Sequence, residues 1–167
     1  MIAQIRVDDR LIHGQVALVW TKELGTNRII VANKHATESD VLRMTLQMGT
    51  PTGQKLLVKD VPDACRIAND PRAAGMKLFA LTNCVRDALE FVKGAPGQIQ
   101  TVNVANVGRF DKTDPATKVT LCSTIMLNPD ELEAAKELCE QGVPVYHQLI
   151  PSDTKTPLKS LIEKAGK

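Results

Sequence analysis

Residues 76–104 read MKLFALTNCVRDALEFVKGAPGQIQTVNV. An apolar run of strand length, Met76–Leu81, leads into Val85–Lys93, where Val85, Ala88, Leu89 and Val92 recur at helical spacing. A second apolar run, Ile99–Val104, follows. Strand, crossover helix and strand within about thirty residues make a βαβ unit, whose two strands lie parallel in one sheet. The same alternation extends in both directions. Further strands are expected at Ile2–Val7, Arg28–Ala32, Lys55–Val58, Val119–Ser123 and Val143–Leu149. Helices are expected at Gly14–Glu23, Glu38–Met48, Val61–Asn69 and Pro129–Gln141, with a short one from Thr156 to Lys164. Asn128-Pro129-Asp130-Glu131 supplies a helix N-cap, a proline at the first helical position and early acidic residues. Gly25, Gly49 and Gly142 close helices, and Ala105–Lys118, with Gly108, Asp114 and Pro115, reads as a loop. The pattern predicts one doubly wound α/β domain over residues 1–167, with a mainly parallel sheet of about seven strands and helices on both faces.

Composition narrows the function classes. Lys and Arg total 21 against 19 Asp and Glu, a net charge of +2, so no basic stripe marks a nucleic-acid binder. Aromatic residues make up only 3%, too few for base-stacking platforms. No apolar run approaches the ~20 residues that cross a bilayer. Cys65, Cys84, Cys122 and Cys139 form no Cys-x-x-Cys pair and read as reduced core thiols of a cytoplasmic protein.

Ligands of open α/β sheets bind at the carboxyl ends of the strands. The first strand runs out into Asp8-Asp9-Arg10-Leu11-Ile12-His13-Gly14-Gln15-Val16, and a helix with Trp20 on its apolar side begins there. A helix N-terminus favours anions and disfavours a protonated imidazole, which leaves His13 a nitrogen lone pair. Gly14 removes a side chain that would crowd an incoming group, Gly14 and Gln15 offer backbone donors, and Arg10 and Arg6 lie within reach of phosphate oxygens. These residues together could accept a phosphoryl group; alternatively, His13 is an ordinary polar residue that ends a strand.

Arg6-Val7-Asp8-Asp9-Arg10-Leu11-Ile12-His13-Gly14-Gln15-Val16 with Trp20 resembles the signature of the mannose/fructose/sorbose family EIIB components, subunits of the phosphoenolpyruvate-dependent sugar phosphotransferase system. Ile29-Ile30-Val31-Ala32-Asn33, Leu81-Thr82-Asn83, Val102-Asn103-Val104 and Gly142-Val143-Pro144 followed by Pro151 extend the resemblance along the chain. It implies a phosphotransferase in which His13 is phosphorylated on Nδ1 by a phospho-EIIA partner. The group then passes to a sugar hydroxyl during uptake through the membrane subunits EIIC and EIID. Arg10 would serve the transferring group, no cofactor or metal is implied, and the protein would be cytoplasmic, held peripherally at the membrane. The chain departs from the family at Lys34-His35, where Asn-Asp is common, and at Ala105-Asn106, where Gly-Gly is common; its 105–118 loop is also longer.

Other residues carry weaker readings. Thr82 and Asn83 could donate to phosphate or cap the next helix. Asn103 and Gly108 could line a pocket or form a plain turn. Asp8 and Asp9 could bind Mg²⁺ or hold Arg10, the second being preferred for at least one of them. His35 and His147 lack a second ligand at metal spacing and read as a surface loop residue and a strand residue. A two-component receiver is the rival from another class: Asp8-Asp9, Asp60 and Thr82 imitate its acidic pair, phosphorylated Asp and Thr. Thr101–Val107 lacks the lysine that such domains keep, however. A nucleotide-binding module is disfavoured by the single glycine in Asp8–Gln15. Homo-oligomerisation and the sugar are left open.

Overall fold

The computed structural model describes residues 1–167. Its elements are β1 (Ile2–Asp8), α1 (Gly14–Leu24), β2 (Arg28–Ala32), α2 (Lys34–Glu38), α3 (Asp40–Met48), β3 (Lys55–Lys59), α4 (Val61–Asn69), β4 (Leu78–Thr82) and α5 (Val85–Gly94). There follow β5 (Val102–Asn106), β6 (Val119–Cys122), β7 (Ile125–Leu127), α6 (Pro129–Cys139), β8 (Val145–His147), β9 (Thr156–Pro157) and α7 (Leu158–Lys164). Seven strands form one sheet in the order β3-β2-β4-β1-β5-β8-β9, parallel except where β9 meets β8. The quoted βαβ unit is β4-α5-β5, and β1 lies between its two strands.

The seven strands are not quite the seven expected. Val119–Ser123 leaves the main sheet and pairs as β6 with β7 in an antiparallel hairpin. Its place is taken by β9, two residues at the start of the expected last helix. The helix expected over Glu38–Met48 is α3, which begins at Asp40 because Ser39 is extended and its hydroxyl accepts the Leu42 N–H; the five-residue α2 just before it was not expected. Helix α6 ends at Cys139, ahead of Gly142. At Gly25 the chain turns left-handed (φ +67°), and the expected glycine stop of α1 is present. Gly49 follows α3 in an ordinary right-handed conformation.

Helices cover both faces. On one, α4, α5, α6 and α7 bury Cys65, Leu89, Phe91, Leu138 and Ile162 against Ile5 and Val7 of β1. On the other, Trp20 of α1, Ala36 of α2 and Leu46 of α3 pack on Ile29, Val31, Phe79 and Leu81. Successive strand residues face opposite sides. Ile5 and Val7 therefore enter the first core, while Gln4, Arg6 and Asp8, all buried, form a polar stripe beneath α1. Buried polar groups need partners, and this stripe leads to the carboxyl end of β1.

Candidate phosphoryl-transfer site

Between β1 and α1 the chain makes a tight connection. Leu11 adopts φ +58°, a conformation costing a non-glycine residue roughly 1–2 kcal/mol. The side chains of Leu11 and Ile12 hold it there by burial in the α1–α3 core. His13 follows as the extended N-cap residue of α1 and makes no side-chain cap bond; α1 has no acidic residue in its first turn. The positive end of the helix is thus left without an anionic partner from its own turn. Gly14 has φ +39°, and nothing lies within 4 Å of where its Cβ would be.

His13 has 22% of its side chain exposed, and its Nε2 lies 3.0 Å from Oδ2 of Asp8, which is wholly buried. The same oxygen accepts from Asn106 Nδ2 at 3.1 Å and Arg6 Nη2 at 3.5 Å. Oδ1 accepts the Arg10 backbone N–H at 3.1 Å. A carboxylate ringed by N–H donors requires a donor from the imidazole too, so Nε2 carries the proton and Nδ1 the lone pair. Arg10 holds its Nε 3.8 Å from Asp8, and its half-exposed guanidinium makes no hydrogen bond within the chain.

A second layer fixes Asp8. Arg6 is 1% exposed; its Nη1 donates to the carbonyls of Gln148 and Leu149, and its guanidinium lies 5.4 Å from the Trp20 ring. Burial pulls Arg6 down to about 10, against the opposing attraction of Asp8, so it stays charged at neutral pH. Trp20 Nε1 also donates to the Leu149 carbonyl, and Asn103 pairs with both backbone groups of Gln148. Arg6 therefore supports Asp8 rather than offering a free cation, and Asn103 ties β5 to residue 148.

The remaining expected residues are placed as follows. Asp9 forms an ion pair with Arg109, pinning the 105–118 segment beside β1. Thr82 is buried at the end of β4, level with Val7, and donates to the Cys84 carbonyl. Asn83 lines a cleft of about 310 Å³ with Asp9, Gly108, Phe110 and Glu131. Neither Thr82 nor Asn83 hydrogen-bonds to His13 or Arg10. Gly108 is required by packing: at φ +101° a Cβ would stand 1.7 Å from the Met126 carbonyl oxygen. His35 is exposed on α2, and His147 sits on β8 bonded to the Val104 carbonyl. Of the cysteines, only Cys65 is buried; the others are half-buried, in departure from a set of core thiols.

Asp60 fits the receiver pattern poorly. Its carboxylate caps α4 through the Asp63 N–H, and β3 stands three positions from β1 in the sheet, roughly 14 Å at ordinary strand spacing. A receiver-type sheet sets its first and third strands side by side.

The sequence reading missed Glu131, gave Asn106 only as part of the Ala105-Asn106 departure and without a role, and left the orienting acid undecided between Asp8 and Asp9. Glu131 of α6 accepts the Val85 and Arg86 N–H groups at 2.7 and 2.8 Å, capping α5 from another helix, and burial raises its carboxyl above the usual range despite those bonds. The period-two polar positions of β1 were the available signal for Asp8; nothing local marks Asn106 or Glu131.

Known proteins are similar to this chain in sequence and fold. Residues 2–167 match the family described as the PTS system sorbose subfamily IIB component. A "probable phosphotransferase enzyme IIB component" of Streptococcus pyogenes is 50% identical over 163 residues, covering 97% of this chain and 99% of that one. The mannose-specific EIIAB component of Escherichia coli is 32% identical across the whole of this chain, which spans 50% of that protein. Among solved structures, the IIBSor domain of the Klebsiella pneumoniae sorbose permease superposes with a TM-score of 0.87 at 30% identity, covering 98% and 97% of the two chains.

Proposed function

Because the chain belongs to the sorbose-subfamily IIB components of the sugar phosphotransferase system, which are phosphotransferases, we propose that His13 is its phosphoryl carrier. The group arrives on Nδ1 from the phosphohistidine of an EIIA partner and leaves to a sugar hydroxyl presented by EIIC and EIID. The observation carrying this reading is the Asp8–His13 bond, which puts the proton on Nε2 and the lone pair on Nδ1.

In the transfer, the Nδ1 lone pair attacks phosphorus, the new N–P bond forms, and the P–N bond to the donor imidazole breaks. Positive charge grows on the His13 ring and is balanced by Asp8 through Nε2–H. The phosphoryl oxygens are met by the first N–H groups of α1, at Gly14 and Gln15, and by the guanidinium of Arg10. Phosphoryl transfer asks mostly for positioning and positive charge, and these groups provide both. Arg6 and Asn106 hold Asp8 from behind, and Asp9 pins the neighbouring 105–118 segment through Arg109; Thr82, level with Val7, faces the other side of the sheet, and Asn83 follows it there.

The EIIAB relative joins A and B parts in one chain, which supports EIIA as the donor. No helix of the structure is long and apolar enough to cross a membrane, in keeping with an EIIB unit over residues 1–167 that works in the cytoplasm and meets the membrane through EIIC and EIID. The test is to phosphorylate the protein from phosphoenolpyruvate with the general relay proteins and a cognate EIIA. Label should be acid-labile, alkali-stable and absent from His13→Ala. Label that persists in His13→Ala, or that hydroxylamine releases as from an acyl phosphate, overturns the assignment.

A further inference from the structure

We propose that Cys122 and His147 form a second reactive centre, a thiol–imidazole pair that takes up a small disulfide by thiol–disulfide exchange. Nδ1 of His147 lies 2.7 Å from the Val104 carbonyl oxygen. A carbonyl only accepts, so Nδ1 carries the proton and Nε2 has the lone pair. Nε2 lies 3.7 Å from Cys122 Sγ, within reach of a sulfur hydrogen bond. Nucleophile, base and a third group that orients the base are thus in line. The Thr124 hydroxyl donates to the Ala105 carbonyl and lies 3.6 Å from the same sulfur, so its oxygen can only accept there.

The other three thiols are set against this chemistry. Burial, reinforced by Asp87 and Glu131, pushes Cys84 up to about 12. Burial with Glu140 raises Cys139, and burial with Glu90 raises Cys65. Cys84, Cys122 and Cys139 are all half-buried, so exposure does not separate them; the imidazole does. Tyr146 pairs with Asn103, on the His13 side of the sheet, and the next residue, His147, is directed to the opposite side. The pair is therefore separate from the phosphoryl site.

In the exchange, the Cys122 proton passes to His147 Nε2 as Sγ attacks one sulfur of the disulfide. A new S–S bond forms, the old one breaks, and the leaving thiolate takes the proton back from the imidazolium. Two electrons stay within the sulfur pair, and the disulfide is the only co-reactant. Attack on sulfur needs no oxyanion donors.

The test uses the full chain with excess 4,4′-dithiodipyridine, followed by thiopyridone release and peptide mapping. One fast thiol is expected, mapped to Cys122 and missing in Cys122→Ser. His147→Asn keeps an N–H for the Val104 carbonyl but has no imidazole lone pair, and it should slow the fast phase at least about tenfold. First labelling at Cys65, Cys84 or Cys139 overturns the proposal, as does an unchanged rate in a folded His147→Asn. Should that variant not fold, the wild-type map and Cys122→Ser decide alone. Phosphorylation at His13 is independent of the result.

Discussion

Replacing Asp8 by Asn separates what this residue does for stability from what it does for transfer. The carboxylate receives His13, Asn106 and Arg6 on one oxygen and the Arg10 N–H on the other. Its loss leaves the buried Arg6 guanidinium without a counter-charge, a change that typically costs about 3–5 kcal/mol. Removing both charges should restore most of that. In Arg6→Met/Asp8→Asn no carbonyl is orphaned, because Gln148 O still receives Asn103 and Leu149 O still receives Trp20. Urea unfolding followed by fluorescence of Trp20, the only tryptophan, reads both steps. Transfer should not recover with stability. If the oxygen of the introduced amide stays toward Nε2, a charge-assisted bond becomes a neutral one, about 1.4 kcal/mol weaker, and transfer from EIIA slows roughly tenfold. If the amide turns its NH₂ toward Nε2, the proton moves to Nδ1 and the loss is far greater. A folded double variant that accepts phosphate at the wild-type rate refutes the tautomer argument. One less stable than Asp8→Asn alone refutes the buried-charge argument.

Arg10→Lys should fold normally, since Arg10 is nearly half exposed, yet accept phosphate about 10²–10³-fold more slowly, because an ammonium lacks the planar fork; stopped-time labelling measures it. EDTA should leave the EIIA step unchanged, as Arg10 and the start of α1 supply the positive field. The glycines should differ sharply: Gly14→Ala meets open space and costs about 1 kcal/mol for its φ, whereas Gly108→Ala meets the Met126 carbonyl and costs about 3 kcal/mol or more, read from urea midpoints. Burial acts to raise Asp111, but bonds from Lys118, Thr113 and Asn128 outweigh it and hold the carboxyl below its ordinary value. Its stabilisation of the 105–118 segment is therefore full above the ordinary carboxylate range and lost as pH falls through the lowered value, so amide protection there, taken relative to the intrinsic exchange rate at each pH, should fall on acidification.

The parallel sheet was legible because its strands are long enough to show period and its helices carry their own stop signals. Where the reading slipped, the elements were short. Ile125–Leu127 and Thr156–Pro157 span three and two residues, too few for alternation, and each forms only because a partner strand is nearby. The five-residue α2 was also too short to show a period, although its N-cap Asn33, which accepts the Ala36 N–H, was a local signal. At the site, His13, Gly14 and Arg10 lie in one connection and could be read together. Asp8 stood beside an equally plausible Asp9, and only the fold decides between them: strand parity turns Asp8 under α1, whereas Asp9 reaches Arg109. Asn106 and Glu131 act across 98 and 46 residues, distances at which side-chain type alone predicts no partner.

The bonds from Arg6 to residues 148 and 149 span more than 140 positions of chain, and that separation sets a clock on synthesis. At about 5–20 residues per second, residue 148 is added some 7–30 s after residue 6. Until then the cation in β1 has none of its carbonyl acceptors, and neither Asn103 nor the Leu149 partner of Trp20 can lock in place. The nascent chain holds His13 from the outset but not its scaffold, so a ribosome-bound fragment ending before Gln148 should be a poor acceptor from EIIA, and competence should arrive late and abruptly as that segment emerges.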